Sequence, residues 1–176
     1  MLADSDAVLV ARVVAADDRA AFELLVRRHQ SGLRGFLRRL VRQDAARADD
    51  LAQETFIKLY RSIGSYRGQA KFGTWLYGIA YNTFLDEQRN RASRAGRQID
   101  APDVAADMAA LAGMELDARK ILAHLPERQR AVFDLFYNKD MTHDEVANSL
   151  QIPVGTVKSD LYRGIERLKQ LAGGAA

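Results

Sequence analysis

Apolar residues recur along most of this chain at three- and four-residue spacings, and nowhere in a sustained alternation of period two. Such spacing lines them along one stripe of a helix and gives a strand no face to bury. With only three prolines in the chain, little interrupts the pattern, which predicts an all-α protein. A length of 176 residues has room for one ordinary domain or two small ones. A change of charge character near residue 98 divides it into two small helical domains.

In the first half, Phe22, Leu25, Val26, Leu33, Phe36, Leu37, Leu40 and Val41 form a broken stripe over 20–42. It is interrupted near Ser31-Gly32, so two helices or one kinked helix satisfy it equally. From Ala46 to Ile63 the apolar positions again follow helical spacing and leave Asp49, Asp50, Gln53, Glu54 and Lys58 on other faces. Gly64, Gly68 and Gly73 punctuate a polar loop. Phe72, Trp75, Leu76, Ile79, Ala80, Thr83 and Phe84 then predict a helix to about Arg91, which leaves Tyr77 and Tyr81 out of phase and exposed.

Arg89, Arg91, Arg94 and Arg97 give way to a stretch with Asp100, Asp103, Asp107, Glu115 and Asp117 and no lysine or arginine between 98 and 118. We read 1–97 as one domain, 98–114 as an acidic linker around Pro102 in which 105–111 can form a short helix, and 115–176 as a second domain. In the second domain Pro126 suits a first helical position, from which a helix runs to about Asn138. Thr142-His143-Asp144-Glu145 matches a capping box. A short helix to Leu150, a turn at Gln151-Ile152-Pro153 and a longer helix through Leu168 complete a helix-turn-helix.

Composition narrows the function classes. Apolar residues are 48% and charged residues 28%, a globular balance with no run long enough to insert in a bilayer. The acidic N-terminal residues lack the pattern of a secretory signal, and the absence of cysteine excludes disulfides, thiolate metal sites and cysteine nucleophiles. Both point to a cytoplasmic protein. His29, His124 and His143 have no metal-ligand spacing and read as surface or partly packed residues. No phosphate loop or nucleophile arrangement names a reaction, so no enzyme, cofactor or metal is expected. A net charge of only +3 means that a nucleic-acid partner must be argued from where charge sits.

A helix-turn-helix inserts its second helix into the major groove by its N-terminal end. There the exposed positions are Thr156, Lys158, Ser159, Tyr162 and Arg163. Lysine and arginine donate to guanine acceptors or to phosphate; a solvated helix face is the plain alternative.

Leu125-Pro126-Glu127-Arg128-Gln129-Arg130, Thr142 to Leu150 and Ile152 to Ser159 closely resemble region 4 of extracytoplasmic-function (ECF) sigma factors. Asp49 to Phe56 resembles their region 2.2, and Phe72 to Asn82 their regions 2.3 and 2.4, in the same order. The resemblance implies a protein that binds core RNA polymerase, directs it to promoters and assists opening. It implies that Asp49, Asp50, Gln53, Glu54, Phe56 and Lys58 face the polymerase. It implies minus-ten contacts by Tyr66, Arg67, Lys71, Phe72, Thr74, Trp75, Tyr77, Tyr81, Asn82, Arg89 and Arg91, with duplex and melted single-stranded DNA as partners. Phe72, Trp75 and Ile79 also lie on the apolar stripe, so core packing is the main role of at least two of them. Minus-thirty-five contacts fall to Thr142, Gly155, Thr156, Lys158, Ser159, Tyr162, Arg163 and Arg167. An anti-sigma factor is an implied inhibitor.

Asp160 stands where many relatives carry arginine. It removes a phosphate contact, accepts from a cytosine amine, or pairs with Arg163 or Arg167. A free-standing helix-turn-helix repressor and a purely protein-binding helical module are the competing functions, both resting on the second domain or on helix faces alone.

Overall fold

The computed structural model describes residues 4–95 and 122–173. The linker 98–114 with its short helix, Arg97, and the 115–121 start of the second domain lie outside the described residues. Among the described residues are seven α-helices and no strand, as the apolar spacing predicts. They fall into two compact units.

The first unit begins with α1 (Asp6–Ala16), in a stretch where the sequence reading finds no motif. The Val8 N–H donates to Ser5 Oγ at 3.4 Å, and Leu9, Val10 and Val13 are buried as the helix packs on α2. α2 (Arg19–Leu40) is one helix straight through Ser31-Gly32. A glycine inside a helix costs about 1 kcal/mol relative to alanine. Burial of Leu25, Leu33, Phe36, Leu37 and Leu40, each contributing about 1.5–3 kcal/mol, outweighs it. Asp18 caps α2 by accepting from the Ala21 N–H at 3.0 Å.

Arg42 and Gln43 then turn the chain with φ of 53° and 71°, and the Gln43 N–H donates to the Arg38 carbonyl at 2.7 Å. Asp44 caps α3 (Ala45–Ser62) through the Arg47 N–H at 3.0 Å, and α3 lays Ala48, Leu51, Ala52, Thr55 and Leu59 against α2. A 3₁₀ turn (Ile63–Ser65) opens the glycine-containing loop. At Gly68 the chain needs φ +69°, which glycine adopts without steric cost.

α4 (Phe72–Ala95) corrects the predicted phase of the apolar stripe. Its buried positions are Phe72, Thr74, Leu76, Tyr77, Ala80, Tyr81, Thr83 and Phe84, while Trp75 and Ile79 are half-exposed. Tyr77 packs edge-on against Phe36 at 5.2 Å, and Tyr81 stacks on Phe84 at 6.3 Å. Tyrosine is apolar over most of its area and polar only at its tip. Counting Tyr77 and Tyr81 as outward residues therefore displaces the stripe.

In the second unit Pro126 is the residue before the helix (φ −53°, ψ 149°), not its first turn. α5 (Glu127–Phe133) continues into a wider π turn at Asp134–Asn138, which completes the predicted run to Asn138. Arg130 is buried, and its guanidinium donates to the Leu125 carbonyl at 2.8 Å, tying down the incoming turn. α6 (His143–Leu150) and α7 (Val154–Gly173) follow. Between them Gln151 adopts φ +55°, and the Ile152 N–H donates to the Ala147 carbonyl at 3.1 Å. α7 packs on α5. A Cβ at Gly164 would stand 2.2 Å from Cε2 of Phe133, so only glycine allows this approach.

Candidate polymerase and nucleic-acid surfaces

Because α3 buries its Ala48–Leu59 stripe against α2, Asp49, Asp50, Gln53 and Glu54 are left exposed. They do not stand on a flat polar face. Asp49 and Asp50 border a cavity of about 710 Å³ between α2 and α3, whose lining includes Phe22, Val26, Phe56 and Ile57. Phe56 is half-buried, Ile57 is exposed, and Phe22 meets Tyr60 edge-on at 4.8 Å. Asp49 lies 3.4 Å from Arg34 Nε across the rim, and Lys58 lies 3.1 Å from Glu54 on its own helix. Exposed pairs of this kind contribute about 0–1 kcal/mol and yield readily to a partner. Arg19, Arg34 and Arg61 also line the cavity, so its rim carries both signs and the arrangement can seat an apolar ridge flanked by charged groups.

At the loop before α4, Tyr66, Phe72 and Trp75 form one aromatic cluster. Tyr66 lies 5.7 Å from Phe72 and 5.1 Å from Trp75, and its hydroxyl donates to the Ala70 carbonyl at 2.6 Å. Burial and, secondarily, the Asp6 charge push the Tyr66 hydroxyl above its ordinary pKa, so it stays neutral. Under the cluster, His29 packs 5.1 Å from Phe72 and meets Asp6 of α1 at 2.9 Å. Arg67 and Lys71 are exposed beside it, as are Asn82, Arg89 and Arg91 along α4. Arg89 pairs with Asp86, and Arg91 lies 3.4 Å from Glu87.

Four of the predicted minus-ten residues are not presented to solvent: Phe72, Thr74, Tyr77 (7% exposed) and Tyr81 (5% exposed). Their rings and methyl group serve packing. Of Phe72, Trp75 and Ile79, at least two of which are expected mainly in the core, only Phe72 is buried, and Trp75 and Ile79 remain half-exposed. The rings of this cluster that keep some solvent exposure are those of Tyr66 and Trp75.

In the second unit the capping box forms as predicted. The Thr142 N–H donates to Glu145 Oε2 at 2.8 Å, and the Glu145 N–H donates to Thr142 Oγ1 at 3.2 Å. On α7, Gly155, Lys158, Tyr162 and Arg163 are exposed, with Tyr162 at 67%; Thr156, Ser159 and Arg167 are half-buried. Ser159 Oγ donates to the Thr156 carbonyl at 3.0 Å. Asp160 corrects the sequence reading. It is 0% exposed and pairs with neither Arg163 nor Arg167; Arg128 of α5 donates to it through Nε at 2.7 Å and Nη2 at 3.2 Å. It faces inward, away from the exposed side chains of the helix. His143 stacks on Phe136 at 4.8 Å, and no metal-binding group of three acidic or histidine residues occurs among the described residues.

The family models for Sigma-70 region 2 and Sigma-70, region 4 match residues 25–94 and 115–168. The RNA polymerase sigma-H factor of Pseudomonas aeruginosa is 36% identical, with 94% of this chain and 92% of that protein covered. The ECF RNA polymerase sigma-E factor of Haemophilus influenzae is 33% identical, with 94% of each covered. This chain belongs to the ECF sigma factor family. As an ECF sigma factor it directs RNA polymerase to promoters, and a free-standing repressor does not account for the region 2 match.

Solved structures agree in fold. The sigma factor RpoE of Bartonella quintana, crystallised with the anti-sigma factor NepR, aligns with a TM-score of 0.69 at 23% identity, covering 86% of this chain and 96% of that one. CnrH in complex with the cytosolic domain of CnrY aligns with a TM-score of 0.67 at 23% identity, covering 98% and 100%. Sequence reasoning about this ECF sigma factor missed the apolar side of the α2–α3 cavity and the partner of Asp160. Phe22 and Val26 were legible as apolar but were assigned wholly to the core. Arg128 lies 32 positions from Asp160, a separation over which no periodicity carries a signal.

Proposed function

We propose that this sigma factor docks on core polymerase through the α2–α3 cavity, holds melted minus-ten DNA at the loop before α4, and reads the minus-thirty-five element with α7. The observation that supports docking most directly is the pairing of half-buried Phe56 and exposed Ile57 with the acidic residues Asp49 and Asp50 around one cavity. Interfaces of this kind combine an apolar centre with a polar rim. Lys58 and Glu54 neighbour it.

For the melted strand, Tyr66 and Trp75 supply stacking faces, worth about 1–3 kcal/mol per base, and Arg67 and Lys71 supply phosphate contacts. Asn82, Arg89 and Arg91 extend that surface along α4. For the duplex, Lys158, Tyr162 and Arg163 reach base edges or phosphates, flanked by Gly155, Thr156, Ser159 and Arg167, with Thr142 at the start of α6. The functional division follows 1–97, 98–114 and 115–176. The polymerase supplies the chemistry, the protein acts in the cytoplasm where that polymerase and its promoters are, and an anti-sigma factor covers the cavity; that the similarly folded sigma factor RpoE was crystallised with an anti-sigma factor supports a partner of this kind.

Ile57→Glu tests the docking surface. Its binding to core polymerase is expected to weaken at least tenfold, with an unchanged melting curve because Ile57 is exposed. Unaltered core affinity would overturn the reading.

A further inference from the structure

The inner face of α7 carries Val157, Asp160, Leu161 and Gly164, all buried, while Lys158, Tyr162 and Arg163 point outward. A carboxylate on that inner face needs a reason, because a charge withdrawn from water is costly unless paired. Its pair is Arg128, whose side chain stays 50% exposed while Nε and Nη2 meet the two oxygens of Asp160 at 2.7 Å and 3.2 Å. Two parallel bonds from a planar guanidinium to a planar carboxylate have an orientation as well as a length. Gly164 against Phe133 is a further close contact between α5 and α7 and sets how near the helices come. It is an apolar contact, without the directional geometry of the guanidinium–carboxylate fork.

Resting on the reading of α7 as the minus-thirty-five helix, we propose that Arg128 and Asp160 are positioning residues that fix the roll of that helix. The consequence is geometric. With side chains at about 5–6 Å from the helix axis, a roll of about 20° carries their tips roughly 2 Å, enough to lose a hydrogen bond whose tolerance is a few tenths of an ångström. Lysine at 128 keeps the charge but offers a point donor in place of a fork, so it retains attraction and loses orientation.

The test uses the full chain with core polymerase on promoters that differ only in the minus-thirty-five element. Arg128→Lys and Asp160→Asn are expected to reduce discrimination between preferred and altered elements at least fivefold. Core affinity and transcription from a template that does not depend on that element should stay within twofold. The exchange Arg128→Asp with Asp160→Arg should recover part of the discrimination if it folds; if it does not fold, the two single variants decide. Wild-type discrimination in Arg128→Lys overturns the positioning role. Lys158→Ala and Arg163→Ala serve as the reference. If they too leave discrimination unchanged, the assignment of α7 fails and takes the proposal with it. If they alter it while Arg128→Lys and Asp160→Asn do not, only the positioning role fails.

Discussion

Gln43 sits at φ +71° with its side chain exposed, a conformation that costs a residue with a Cβ about 1–2 kcal/mol. Glycine adopts it freely but gains entropy in the unfolded chain, which offsets part of the relief. Gln43→Gly should therefore stabilise the protein by about 0.5–1 kcal/mol, read as a raised thermal midpoint. Gly164→Ala should do the opposite. The added methyl meets the Phe133 ring edge inside van der Waals contact, and overpacking of this kind costs about 1–3 kcal/mol, measured by denaturant unfolding. Asp18 carries a pH dependence. The Ala21 N–H and then Arg12 hold its carboxyl below the ordinary value of 3.8. A depressed folded-state pKa gives stability that is present above the ordinary value and lost as pH falls through the lower one. Asp18→Asn keeps the cap and removes the titration, so its acid unfolding profile should be flatter over that window.

Among the elements, those whose signals are local were legible in the sequence. The Thr142–Glu145 capping box spans four residues and forms as read, and α3 and α7 lie within a few residues of their predicted bounds. α1 was not legible because only three of its side chains, Leu9, Val10 and Val13, are buried, and α2 provides what they bury against. Leu9→Ala should cost about 2–5 kcal/mol, since Leu9 is fully buried; a neutral result in thermal melting would mean that α1 is dispensable. In α4 the helix was legible and its facing was not. The amphipathic rings of Tyr77 and Tyr81 carry no sign of which way they turn until Phe36 and Phe84 are placed beside them. The two classes of aromatic should separate experimentally. Tyr81→Ala should lower stability by about 3–5 kcal/mol. Trp75→Ala should cost less stability than Tyr81→Ala, because Trp75 is half-exposed, and weaken the open complex by about 1–3 kcal/mol.

For the whole molecule, a net charge of +3 is too small to hold DNA by its sum, so binding depends on local cationic patches, and in the proposed function two of these act on different forms of DNA. Arg67 and Lys71 flank an aromatic cluster suited to unstacked bases, whereas Lys158 and Arg163 extend from a helix shaped for the major groove. Each phosphate neutralised releases counterions, and the dependence of log affinity on log salt falls by about 0.9 per contact on duplex DNA and about 0.7 on a single strand. Holoenzyme binding measured across a salt series should therefore divide by template. Lys158→Ala should reduce the slope by about 0.9 on a duplex carrying only the minus-thirty-five element and leave a melted minus-ten strand unaffected. Arg67→Ala should reduce it by about 0.7 on the melted strand and leave the duplex unaffected. Equal slope changes on both templates would mean that the patches act as one undivided basic surface, and the assignment of separate DNA forms to the loop before α4 and to α7 would fail.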